Sequence, residues 1–216
     1  MGDENRGREQ ILARIRAAMG TAAPAQKAAA NEKIIVRIEN PLKRFRAECA
    51  ANNTECLVRP DWAGCGNALG ELLGEIPEGE IFVQEAPLLR RAIAKSSETR
   101  AIRWSSQGQL SESSPAAVTL ARVLVAESGS VLVSTACGGR AASVATPVHI
   151  VLAEMRQLVP DLGTALAAIR QHGELFANSS FSLITGSSRT ADIEKILVLG
   201  AHGPRRLVVL LSEQSE

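Results

Sequence analysis

The chain has 216 residues, enough for one well-filled core or two small ones. With 24 Lys and Arg against 23 Asp and Glu, its formal charge is +1, which gives no field to gather nucleic acid or an anionic membrane. Aromatics at 3%, with no Tyr, argue against a base-stacking platform for single strands, and 45% hydrophobic with 22% charged residues excludes general disorder.

Arg8 to Met19 reads as a short amphipathic helix, with Ile11, Leu12, Ile15 and Met19 on one face and Gly20 as its stop. Alone it is too short to be stable, so it is expected to dock on its own domain, a second copy or a partner. Residues 21–33 are Ala-rich, with Pro24, and read as a linker. From Ile34 the pattern becomes α/β and is expected to run as one domain over residues 34–216.

Pro41 to Asn52 reads as a helix with Leu42, Phe45, Cys49 and Ala50 as its apolar stripe, and Glu55 to Arg59 as a strand. Gly66 to Leu73 is expected to be helical and Ile81 to Val83 a strand. Pro87 to Lys95 is a helix with Pro in its first turn, and Ala101 to Trp104 another strand. Ala121 to Ala126 and Ser130 to Ser134 read as neighbouring strands, joined by a connection, Glu127-Ser128-Gly129, short enough for a hairpin. Val148 to Ala153 is a further strand. Asp161 caps a helix running to about Phe176. Ser182 to Thr185 and Leu207 to Leu211 are strands. Strands alternating with helices predict an α/β fold, a layered, mostly parallel sheet with an antiparallel hairpin, flanked by helices. No internal repeat is present.

The N-terminus is charged on both signs with no apolar run behind it, unlike a secretory signal. The longest apolar stretches, around Val118–Ala126 and Val144–Ala153, are strand-sized, well short of the ~20 residues that span a bilayer. A cytoplasmic location without a membrane span is expected. Cys49, Cys56, Cys65 and Cys137 form no C-x-x-C pair and have no His at zinc-finger spacing. They read as reduced, unpaired thiols, and neither a metal nor a cofactor is expected in this chain. Cys137, before Gly138-Gly139, is the thiol nearest a candidate functional loop.

Three loops carry the candidate chemistry. Thr185-Gly186-Ser187-Ser188-Arg189-Thr190 ends a strand in a small, hydroxyl-rich turn with one Arg. Its N–H groups can converge on a phosphate or carboxylate, with Arg189 adding a charge-assisted contact. The alternative is an ordinary turn with a capping hydroxyl. Asp192 and Glu194 share a face only if their segment is extended. His202, within Gly200-Ala201-His202-Gly203-Pro204, is placed to act as acid, base or ligand, or to hold the loop by hydrogen bonds. Glu127, on the hairpin turn, is either solvated or a base or nucleophile at a strand end. His149 and His172 read as structural. The absence of H-E-x-x-H, G-x-S-x-G and G-x-G-x-x-G removes the usual support for zinc protease, α/β-hydrolase and Rossmann readings.

The string Thr185-Gly-Ser-Ser-Arg-Thr-Ala-Asp-Ile-Glu194, followed by Leu197-Val-Leu-Gly-Ala-His-Gly-Pro204, resembles the signature of the lactate utilization protein C family, which is built on the LUD domain. Ala126-Glu-Ser-Gly-Ser130 stands in the place of an A-E-T-G-T turn, Pro147-Val-His-Ile-Val151 matches the following strand, and Ile11-Leu-Ala-Arg-Ile-Arg16 is typical of the leading helix. The likeness covers about residues 34–212. It departs from the pattern at Ser128 and Ser130, where threonines are commoner, and at Ser187, where Pro is frequent. The resemblance implies a fold like the NagB/RpiA/CoA-transferase group and a subunit acting with iron–sulfur partner proteins in oxidising L-lactate to pyruvate. The clusters would then sit in the partners. It supplies no catalytic residue. A nucleophilic role for Glu127 rests on fold analogy with CoA-transferases. The competing readings are a stand-alone enzyme of CoA-transferase-like fold, acting on a phosphorylated or CoA-linked acid, and a non-catalytic assembly module. A small anionic metabolite is the expected ligand, and homo-oligomerisation is open.

Overall fold

The computed structural model describes residues 3–20, 37–171, 178, 180–190, 198–199 and 203–215. The chain divides into two units, Met1–Val36 and Arg37–Glu216. Within the first, α1 (Asp3–Gly20) leaves Ile11, Leu12 and Ile15 exposed. Among the described residues no helix is long and apolar enough to cross a membrane.

In the second unit the elements run α2 (Pro41–Ala51), β1 (Thr54–Arg59), α3 (Trp62–Gly74), β2 (Ile81–Val83), α4 (Pro87–Lys95), β3 (Ile102–Trp104), β4 (Ala116–Leu120), β5 (Val123–Val125), β6 (Ser130–Ser134), α5 (Ala141–Val144), β7 (Val148–Glu154), β8 (Leu158–Val159), α6 (Leu162–Gln171), β9 (Phe181–Ile184), β10 (Arg189–Thr190), β11 (Val198–Leu199) and β12 (Arg206–Ser212). Six strands form a wholly parallel sheet in the order β1-β12-β7-β4-β2-β3. A second sheet, β8-β5-β6-β9, holds the antiparallel hairpin β5–β6, to which β9 pairs antiparallel and β8 parallel. The expected mostly parallel sheet with an inserted hairpin and flanking helices is therefore what the chain adopts.

The period-2 alternation of the strands builds the layers. On one face of the large sheet Ile81, Val83, Val118, Ile150, Leu152, Val208 and Leu210 meet Leu69, Leu72 and Leu73 of α3 and Leu89 of α4. The other face presents Val151, Ala153, Leu207, Val209 and Leu211 to Phe45 and Cys49 of α2 and to Leu124, Val131 and Val133 of the small sheet. The alternate residues of the hairpin, Val123, Val125 and Leu132, point away and are covered by Ala165 and Ile169 of α6. The central strands of the large sheet thus sit between two apolar layers, the arrangement that makes parallel strands read as continuous hydrophobic runs.

Caps set several boundaries. Asn40 accepts from Lys43 N at 2.9 Å to start α2, and Asp61 accepts from Gly64 N at 2.7 Å to start α3 at Trp62, four residues before the predicted Gly66. Asp161 caps α6 through Thr164 N at 2.8 Å and its hydroxyl at 2.9 Å. That helix is described to Gln171, and its predicted continuation to Phe176, with His172, lies outside the described residues. The apolar run 116–126 is two strands in two sheets: β4 ends at Leu120, and β5 begins at Val123. The break has a local cause. Ala121 N donates to Leu152 O at 2.9 Å in the large sheet, and Arg122 N donates to Leu132 O at 2.7 Å in the small one.

Candidate functional site

The hairpin register brings two of the candidate loops together. Val131 of β6 pairs with Ile184 of β9, so Ser130 and Thr185, one residue beyond that pair, meet at the same end of the small sheet. Their hydroxyls are 2.6 Å apart, and Ser130 Oγ is 2.7 Å from Ser128 Oγ. A line of three hydroxyls joins the 127–130 turn to the 185–188 turn. Ser130 is buried and Thr185 exposed, so the line runs from the interior to the surface.

Both turns press on the C-terminal end of α2. Gly129 adopts φ +63°, and a Cβ there would lie 2.7 Å from Cys49 N and 2.8 Å from Glu48 C. Gly186 adopts φ +87°, and its Cβ would lie 2.3 Å from Asn52 O. Only glycine fits both the left-handed backbone and the close approach. Asn52 closes the junction. Its amide donates to Glu48 O at 3.0 Å and to Ser128 O at 3.2 Å, while the Cys49 thiol donates to Gly129 O at 3.7 Å. On the far side, Ser188 N donates to Pro204 O at 2.8 Å, and a Cβ on Gly203 would lie 3.1 Å from Ser188 Cβ. The Thr185–Ser188 turn and the Gly203-Pro204 string are therefore in contact.

A groove of about 560 Å³ opens over this junction. Asn52, Ser143, Thr185 and Ser188 give it hydrogen-bonding groups, and Val144 and Leu183, both substantially exposed, give it apolar walls. Its described lining carries no formal charge. Arg189 and Thr190 form β10, paired antiparallel with β11 through Arg189↔Leu199 and Thr190↔Val198. Their side chains, and Asp192, Glu194 and His202 entirely, lie outside the described residues. Glu127 is exposed at the turn. Its backbone is fixed, with N–H to Pro160 O at 3.0 Å and its carbonyl accepting from Arg44 at 3.4 Å.

Of the remaining sequence candidates, His149 is buried on the large sheet, with Nε2 2.9 Å from Thr119 Oγ1. Cys65 lies under α4 in the other core layer, and burial pushes its thiol up to about 11. Among the described residues no group of three or more His, Cys, Asp or Glu could hold a metal ion.

Sequence reasoning missed Asn52 and Ser143, which no local pattern marks. It also missed two polar clusters. In the first, Arg90 forms a paired contact with Glu85 at 2.6 and 2.7 Å, Ser106 adds 2.7 Å, and the guanidinium lies 4.4 Å over the Trp104 ring. Those contacts, Arg90 first, hold the Glu85 carboxyl below its usual range. In the second, Arg122, Arg156 and Gln157 rim a cavity of about 320 Å³ floored by Val123, Val159 and Ile169. Arg156 is ion-paired with the buried Glu154. Arg122 did leave a trace, as the single charge inside the apolar run 116–126.

The model of the LUD domain family matches residues 9–212. Lactate utilization protein C of Bacillus subtilis (strain 168) is 28% identical over 185 residues, covering 77% of this chain and 76% of that protein. Its namesake from Bacillus velezensis is 30% identical over 185 residues, with the same two shares, 77% and 76%. The crystal structure of a DUF162 family protein from Deinococcus radiodurans superposes with a TM-score of 0.61 at 20% identity, covering 80% of this chain and 96% of that one. That likeness speaks for the fold alone.

Proposed function

Because the chain belongs to the LUD domain family, we propose that it serves in lactate utilization, as a subunit acting beside iron–sulfur proteins in the oxidation of L-lactate to pyruvate. The printed name of its relatives, Lactate utilization protein C, supports the first part. In this reading the two electrons released by the hydroxy acid pass to clusters in the partner proteins. This chain contributes the groove lined by Asn52, Ser143, Thr185 and Ser188, where hydroxyl and amide groups receive a small anionic metabolite and Arg189 supplies the countercharge.

One observation carries the site: the 2.6 Å contact of Ser130 and Thr185, which ties the 127–130 turn to the turn whose Thr185 lines the groove. The test is lactate oxidation by the reconstituted assembly with and without this chain, together with Thr185→Val and Arg189→Ala. Omission should abolish turnover. Arg189→Ala should weaken lactate binding by about 1.5–3 kcal/mol, the range for a charged hydrogen bond. A full rate without the chain overturns the reading.

The exposed Glu127 favours a second reading, a stand-alone enzyme working on a phosphorylated or CoA-linked acid with Glu127 as nucleophile and Asp192, Glu194 or His202 in acid–base roles. Thioester turnover by the isolated chain, lost in Glu127→Gln, decides for it. A purely architectural subunit instead predicts that Glu127→Gln leaves the assembly active while removal of residues 1–20, with their exposed Ile11 and Ile15, prevents its formation.

A further inference from the structure

Asn52 closes the C-terminal end of α2 and at the same time lines the groove. Its backbone N–H donates to Glu48 O at 3.0 Å and to Cys49 O at 3.1 Å. Its side-chain Nδ2 donates to Glu48 O at 3.0 Å and to Ser128 O at 3.2 Å. Both protons of the side-chain amide are therefore spent on carbonyl oxygens. The flipped amide would set Oδ1 against those same two oxygens, so chemistry fixes which atom is N and which is O.

Oδ1 is what remains. It accepts from no group among the described residues, and it is not sealed from solvent. The residue has no slack, since a Cβ on Gly186 would lie 3.1 Å from Asn52 Cβ. The side chain thus offers a groove ligand an acceptor and no donor. Ser143, also in the lining, gives its hydroxyl proton to Arg140 O at 3.1 Å and has only lone pairs left. Thr185 differs: its hydroxyl and that of Ser130, 2.6 Å apart, can exchange roles, so Thr185 can give a proton or take one. The negative pole of α2 lies at the same place as Asn52 and favours a donor there too.

We propose that Asn52 is the specificity-determining residue of the groove. Its Oδ1 accepts the proton of a ligand hydroxyl, so that the site takes a short 2-hydroxy acid and turns away the matching 2-oxo acid. The inference rests on the reading of the groove as the acid-binding site for lactate utilization. Lactate and pyruvate differ by two hydrogens, and a groove of about 560 Å³ cannot separate them by size. They differ in polarity at one atom. The 2-oxygen of lactate has a proton to give. The 2-oxygen of pyruvate has only lone pairs and would face Oδ1 acceptor to acceptor. A site built to bond a hydroxyl rejects the analogue that lacks it. The same groove then holds the substrate and releases its oxidation product. The apolar walls at Val144 and Leu183 suit a short alkyl substituent beside that hydroxyl.

The test titrates L-lactate, propionate and pyruvate into the isotope-labelled full-length chain. NMR follows the Asn52 side-chain amide and the backbone amides of residues 185–188. Lactate should bind about 3- to 10-fold more tightly than pyruvate, the effect of one neutral hydrogen bond. Pyruvate should bind no more tightly than propionate, which has no oxygen at that carbon. Pyruvate equal to lactate, with both above propionate, would put a donor at the 2-oxygen and overturn the proposal. So would lactate no better than propionate. Either result leaves acid binding in the groove intact. No shift at 185–188 with any of the three acids refutes the groove reading itself, and the proposal with it. Asn52→Ala should bring the affinities for lactate and pyruvate together. A merely structural Asn52 would instead weaken both and keep their ratio, which also overturns the proposal. The wild-type ranking decides even where the variant folds poorly.

Discussion

Replacing His149 with Gln should erase a pH dependence of stability built into the large sheet. His149 pairs in register with Ala117 and Leu207 on the flanking strands and is fully buried. Nε2 meets Thr119 Oγ1, while Nδ1 has no hydrogen-bond partner among the described residues. A bare lone pair costs less than a bare N–H, so the tautomer with Nε2–H donating to Thr119 is the one that fits. Protonating Nδ1 would bury both a charge and an unpaired donor. Burial accordingly pushes the imidazole down from 6.5 to about 4. The unfolded chain therefore takes up the proton first on acidification. The stability tied to the neutral ring is complete above about pH 6.5, falls as pH drops toward about 4, and changes no further below that. The gap from 6.5 to about 4 corresponds to about 3 kcal/mol in all, or ~1.4 kcal/mol per pH unit inside the window. Urea unfolding of wild type and His149→Gln, followed between about pH 7.5 and about pH 4.5, should show the wild-type advantage shrinking by most of that amount. Parallel profiles would refute the reasoning. Glu85 and Glu98, held low chiefly by Arg90 and Arg100, lose their contributions only at more acidic pH and do not mimic the effect.

Gly129→Ala should destabilise the fold by about 2–5 kcal/mol, summing the cost of a non-glycine left-handed residue and of overpacking against backbone; chemical denaturation measures it. Because a Cβ would lie 2.7 Å from Cys49 N, the amides of the 127–130 turn should lose exchange protection more than those of α6. Arg100→Ala should cost about 2–3 kcal/mol in the same assay. Its guanidinium donates to Leu73 O, to Ile76 O at 3.1 Å, to Pro77 O at 3.3 Å and to Glu98 at 2.7 Å, closing the C-terminal end of α3. The loss strands a Glu98 side chain that is only 8% exposed, although the N–H groups of Thr99 and residue 100, each 2.9 Å from its carboxylate, soften the penalty.

The sequence carried the hairpin because Glu127-Ser128-Gly129 interrupts two apolar runs with a residue suited to positive φ, a purely local signal. It did not carry β4. Ala116 to Leu120 runs on into Val123 to Val125 with Arg122 as the single charged interruption, and one charge does not record that the chain leaves one sheet at Ala121 and enters another at Arg122. The early start of α3 was hidden for a different reason. Gly64 and Gly66 lower helix propensity, and the Asp61 cap outweighs them. At the candidate site both hydroxyl-bearing turns were legible as turns. Their contact was not, because it depends on β6 and β9 pairing across 50 residues and on the end of α2, whose Asn52 reads in isolation as a mere helix stop.

The position of α2 also constrains how the groove can be charged. Helix carbonyls point out at its C-terminal end, the negative pole of the dipole, and Asn52 O is the atom against which Gly186 is pressed. An anion laid on that end would meet carbonyl oxygens. The groups suited to it are hydrogen-bond donors, and Thr185 and Asn52 stand among the lining residues there. At the other end of the turn the Ser188 N–H donates to Pro204 O. Within a groove whose described lining is neutral, the acceptor-rich end at α2 disfavours a bare phosphate laid against it.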